Sequence, residues 1–130
     1  MSKVNKNTGQ SFRDIKAWQK ARHLRVEIYG LLQNNKDFSF RDQIQRASVS
    51  IMNNIAEGHS RRSPKAFSNF LLIAKGSAAE VESMLELGRS LEYFKTEDYY
   101  RLVENTDEIS KILSGLLKSL KTQNSKIRTQ

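Results

Sequence analysis

From Ser11 to about Lys121, apolar side chains recur at three- and four-residue steps, interrupted by short polar stretches. An α-helix turns once in about 3.6 residues, so this spacing stacks them on one face. Trp18, Ala21, Leu24, Ile28 and Leu31 make the first stripe, which opens near Ser11-Phe12-Arg13-Asp14 and ends by about Asn34, before "NNKD". A second helix is expected from Ser39, whose hydroxyl is placed to cap it, a contact worth about 1 kcal/mol. Its stripe is Ile44, Ala47, Ile51 and Ile55, and Gly58 suits a left-handed residue at its end. Ser63 as N-cap and Pro64 in the first turn open a third helix. It carries Phe67, Phe70, Leu71, Ala74, Ala78, Val81, Leu85 and Leu91 to about Tyr93. Thr96 opens the fourth, where Glu97 and Asp98 favour the positive end of the helix dipole. Leu102, Ile109, Leu113, Leu116 and Leu120 form its stripe.

Four amphipathic helices joined by short turns predict an all-α fold, an antiparallel up-and-down four-helix bundle over residues 11–121. Residues 1–10 and 122–130 are expected as flexible segments, the second a basic tail that follows Lys118 and Lys121 and holds Lys126 and Arg128. "FLLIA", residues 70–74, is apolar around the whole circumference, whereas a lone bundle leaves one side of each helix in water. Phe70, Leu71, Leu72 and Ile73 are therefore expected in a contact between copies.

Composition narrows the chemistry. The 130 residues suffice for one domain. The absence of cysteine excludes disulfides and thiolate metal sites, and suits a reducing cytoplasm. "MSKVNKNTGQ" has no apolar signal-peptide core, and no run spans a membrane, so a cytoplasmic protein is expected. The net charge of +8 is unevenly spread: residues 1–75 hold 14 Lys/Arg against 5 Asp/Glu, and residues 76–130 hold 8 against 9. Such a split fits a polyanion partner, or copies meeting basic face to acidic face.

The corner between the second and third helices, "NIAEGHSRRSPKAF", concentrates the basic groups. His59, Arg61, Arg62 and Lys65 are the candidates for binding phosphates, beside free N–H groups at the start of the third helix. A DNA-reading helix-turn-helix fits poorly: Gly58 follows Ala56 by only two residues, and the would-be reading helix is too apolar. Gln43, Arg46, Ser50, Asn54 and Glu57 fall at steps of three or four and form a polar row beside the second helix's apolar stripe. A tight hairpin with the third helix would bring Arg46 level with Glu80, so an Arg46–Glu80 pair is expected, together with contacts from Glu57 to Arg61 or Arg62.

Catalysis has no visible apparatus. Neither His23 nor His59 has the spacing of a metal-binding pair, "AKGSAAE" is not a phosphate loop, and no serine has an evident base. No catalytic residue, metal or cofactor is expected. A solvated face explains Glu104, Asp107 and Glu108.

Gln43 to Glu82, "QIQRASVSIMNNIAEGHSRRSPKAFSNFLLIAKGSAAEVE", closely resembles the core of the bacterial four-helix-bundle family named for the 23S rRNA intervening-sequence proteins. Gln43, Arg46, Ala47, Ser50, Ile51 and the run Asn54 to Gly58 meet its first motif. Lys65, Phe67, Phe70, Leu71, Ile73, Ala74, Gly76, Ser77 and Glu80 meet its second. Ala66 departs from the acid often found there. The resemblance, over residues 12 to 121, implies a ring-like homo-oligomer, a pentamer, and an RNA-related role. Its fold is similar to that of the accessory protein of diversity-generating retroelements. Two functions follow as expectations. One is a non-catalytic oligomer binding RNA, or DNA, through a repeated basic surface; the other is an oligomeric scaffold or adaptor for a protein partner.

Overall fold

The computed structural model describes residues 11–129, with side chains described through Gln123. The segment 1–10, and the side chains of Lys126 and Arg128, lie outside the described residues. After a 3-10 turn at Phe12–Asp14, four helices follow: α1 (Lys16–Leu31), α2 (Phe38–Ser60), α3 (Pro64–Ser90) and α4 (Thr96–Thr129). Each packs on its neighbours in cyclic order, with α2 on α3, α3 on α4, and α1 on both α2 and α4. This is the up-and-down bundle that the apolar periodicity predicts. Residues 122–129 continue α4 instead of forming the expected tail. At 34 residues, α4 is about 50 Å long and outreaches the 16-residue α1.

Packing settles which apolar residues face inward. Leu24, Ile28, Ile44, Ile51, Ile55, Leu71, Leu85, Leu102, Ile109 and Leu113 have no exposed surface. Leu32, not Leu31, completes the first stripe, and Leu91 is exposed.

The helix ends show where local sequence rules were overridden. Ser63 caps α3 as expected, its hydroxyl accepting from the Ala66 N–H, with Pro64 in the first turn. Ser11 caps the 3-10 turn, not α1. The cap of α2 is Asp37 rather than Ser39: its Oδ1 accepts from the Phe40 N–H at 3.1 Å. Tyr93 donates its hydroxyl to Asp37 Oδ2 at 2.6 Å, which ties this cap to the α3–α4 turn. Those two hydrogen bonds, the tyrosine's first, hold the Asp37 carboxyl below its ordinary pKa.

Gly58 does not end α2. It lies buried within the last turn, and the left-handed residue of the corner is Arg62, at φ 60°. The glycine serves close approach instead: a Cβ there would lie 2.7 Å from Phe70 Cβ and 2.9 Å from Phe67 Cδ1.

Part of the charge split closes on itself. Lys20 on α1 meets Glu108 on α4 at 3.0 Å, and Glu27 accepts from the Arg101 guanidinium. On α3, Glu82 shares a hydrogen bond with Asp107 of α4. That bond, then burial, then the nearby charges of Asp107 and Glu86 raise its pKa from an ordinary 4.5 to about 6. A carboxyl whose folded pKa exceeds its unfolded value favours folding most below about pH 4.5, and loses that contribution as pH rises through about 6. Solvent screening keeps the effect below about 1 kcal/mol. Glu82→Gln is therefore expected to raise the melting temperature by a few degrees at pH 8 and to leave it unchanged near pH 4.5, as read by circular dichroism.

Candidate nucleic-acid interface

The topology gathers positive charge at one end of the bundle. The α2–α3 corner lies at this end. So does the start of α1, because α1 runs antiparallel to α2, and so does the far end of α4, because α4 runs antiparallel to α3. Arg61, Arg62 and Lys65 are exposed at the corner, Arg13 and Lys16 at the start of the chain's helical part, and Lys118 and Lys121 on α4. Leu120 and Gln123 of α4 line a cavity of about 440 Å³ together with Gly58, His59, Arg62 and Phe67, which joins the α4 end to the corner. Glu57 and Asp14 are the acids nearest these groups along the chain.

The four corner residues differ in state. Arg61 Nη2 donates to Glu57 Oε2 at 2.8 Å, and its guanidinium lies 5.1 Å from the Phe70 ring centroid. Glu57 thus offsets part of the Arg61 charge, as expected for an acid placed unfavourably at a helix C-terminus. His59 is half-buried and edge-on to Phe67, with ring centroids 6.0 Å apart. Burial first and the Arg62 charge second lower its pKa below the ordinary 6.5, so it is neutral at pH 7. Three cations, Arg61, Arg62 and Lys65, against the one carboxylate of Glu57 leave the corner with a net positive charge.

The polar row divides into two parts. Ser50 Oγ lies 2.8 Å from Ser77 Oγ, and Asn54 Nδ2 donates to the Ser50 carbonyl at 2.8 Å and to its hydroxyl at 3.0 Å. These short side chains let α2 and α3 approach closely. Arg46 and Glu80 occupy the next level of the same hairpin, but both are exposed, and the ion pairs among the described residues do not include one between them. The expected pair is not formed: both side chains stand in solvent, where a pair gains little over hydration. Gln43 is likewise exposed.

The residues expected between copies also separate. Leu71 belongs to the core, fully buried, and Phe70 is half-buried under Arg61. Leu72 and Ile73 point outward, 58% and 52% exposed. Leu87, further along α3, and Leu91, its C-cap, are exposed too. Periodicity did not single out the α4 lysines as neighbours of the corner; the length of α4 was the available signal.

Among the described residues, no cluster of His, Asp and Glu could hold a metal ion. No described helix is long and apolar enough to cross a membrane.

An all-α up-and-down bundle, with a serine-laced α2–α3 hairpin and a basic end, defines the class. The family model described as 23S rRNA-intervening sequence protein matches residues 13–115, so the chain belongs to that family. A solved structure from Bacteroides thetaiotaomicron, described as a protein with unknown function from the S23 ribosomal protein family, is 34% identical. The match covers 78% of this chain and 98% of that one, with a TM-score of 0.73. No curated protein matches the chain. Neither description names a catalytic activity.

Proposed function

We propose that the protein is a non-catalytic, self-associating cytoplasmic bundle that binds nucleic acid, RNA in preference to DNA, through phosphates at its basic end. The observation that carries this reading is the convergence of Arg62 and Lys65 at the α2–α3 corner with Lys118 and Lys121 of α4, two distant segments of the chain, on one end of the bundle. Scattered surface lysines would not require the α4 terminus to return to the α2–α3 corner. Self-association rests on the exposed Leu72 and Ile73. The ring implied by the family resemblance, a pentamer, would repeat the basic end around a rim and multiply weak contacts. The family description, with its reference to 23S rRNA, favours RNA.

Arg62→Ala with Lys65→Ala removes two phosphate contacts and is expected to weaken binding of a single-stranded RNA about ten- to fiftyfold at about 50 mM salt. Fluorescence anisotropy measures this directly. Unchanged affinity would move the site away from the corner. The exposed Leu87 and Leu91 support a second reading, a homo-oligomeric scaffold or adaptor that docks a protein on α3. A chain that binds no RNA even at low salt, yet still assembles, would leave that reading standing.

A further inference from the structure

We propose that the groove between α1 and α2 reads a nucleotide, taking one unpaired unit of a single-stranded polynucleotide with its base against carboxamides and its phosphate against guanidiniums. This rests on the nucleic-acid reading and adds a second, base-dependent site to it. The groove has a volume of about 580 Å³, within the range of small-ligand sites. Arg25 reaches it from α1; Gln45, Arg46, Asn53 and Asn54 reach it from α2.

Two of the side chains that line it each carry an unpaired polar atom, which a rotation of the side chain would turn to a ligand. Arg25 Nε and Gln45 Oε1 are shielded from solvent and have no hydrogen-bond partner. Buried polar atoms left unpaired are costly, and here one is a donor and the other an acceptor. A fully ionised phosphate offers acceptors only, whereas a base edge offers both kinds of group. Asn54 has its amide nitrogen committed to Ser50, which fixes the carboxamide and leaves its oxygen for a ligand. Asn53 is exposed and adds a second carboxamide, the group that pairs in bidentate fashion with base edges. Asp42 lines the groove as well, and an aspartate accepts from the amino group of cytosine.

The cations are suited to the rest of the nucleotide. Arg46 is exposed and outside the ion pairs of the described residues, so its charge is available to a phosphate. The Arg25 guanidinium lies over the Tyr29 ring at 5.4 Å, which steadies its plane for stacking. A helix from another copy is a poorer occupant, because Val49 is the one large apolar side chain lining the groove.

The test follows the side-chain amide NMR signals of Gln45, Asn53 and Asn54 in the full chain. The probes are the four ribonucleoside 5′-monophosphates and, separately, inorganic phosphate. The expected result is movement of all three residues' signals with the nucleotides, saturating at concentrations that differ at least threefold among the bases. Inorganic phosphate should leave the carboxamides unmoved. Arg62→Ala with Lys65→Ala should preserve these shifts, so that loss of RNA binding at the basic end and failure of the groove are read separately. Groove signals that ignore every nucleotide overturn the proposal, whatever the basic end does. Equal movement with inorganic phosphate overturns it too, as does movement that follows protein concentration alone and marks a contact between copies.

Discussion

Gly58→Val is expected to lower the melting temperature by roughly 5–15 °C, with loss of about 2–4 kcal/mol of stability. The glycine faces α3 at close range: a Cβ would meet Phe70 Cβ at 2.7 Å and the Phe67 carbonyl oxygen at 3.4 Å. Both atoms are anchored at or beside the backbone, so relief requires the helices to move apart. A helix interior ordinarily prefers alanine to glycine by about 1 kcal/mol, which does not offset such a clash. Gly115 provides the contrast. It lies in α4 with nothing within 4 Å of an added Cβ, so Gly115→Ala should raise stability by up to about 1 kcal/mol. Thermal denaturation of the two variants reads both signs; a Gly58→Val protein as stable as its parent would mean that the hairpin is looser than described.

Leu72→Glu combined with Ile73→Glu is expected to convert the proposed assembly to monomers without unfolding the chain. Both side chains are more than half exposed, so charges there leave the bundle interior untouched. Charges placed in the core of an interface between copies would have to be desolvated without partners, which costs several kcal/mol per copy. Light scattering should show the mass of one chain for the variant and a multiple of it for the parent. Helix content by circular dichroism should be the same for both. A parent that is already monomeric removes the ring and its rim of basic ends. RNA affinity of the double variant should fall as well, because each molecule then offers one basic end rather than several.

What could be read from the sequence divides along the range of the interactions involved. The α3 start was legible because Ser63 and Pro64 act within one turn of chain. The α2 and α4 stripes were legible because Ile44, Ile51, Ile109 and Leu113 repeat at the period of the helix they belong to. Local sequence favours Ser39 as the α2 cap, whereas Asp37 takes that place with the help of a second partner, Tyr93, that lies 56 residues away. Gly58 resembles a helix terminator in the sequence, but its reason is the proximity of Phe67 and Phe70, a property of helix packing. "FLLIA" overstated the outward face: helical period alone already separates the buried Leu71 and Ala74 from the exposed Leu72 and Ile73. At the candidate site, the cations of the corner were visible as a cluster. The contact of Glu57 with Arg61 was legible as well, because the two lie four residues apart; that burial lowers the His59 pKa and that Lys118 and Lys121 share the same end are consequences of the folded chain.

The most direct measurement is the affinity of the unmodified protein for a single-stranded RNA, followed as salt rises from about 50 to about 200 mM. Four phosphate contacts, one each for Arg62, Lys65, Lys118 and Lys121, predict a slope of log affinity against log salt of about −3. A steeper slope is expected if several copies engage one strand. A slope near zero, or no binding at the lowest salt, would contradict the reading of the basic end as a phosphate-binding surface.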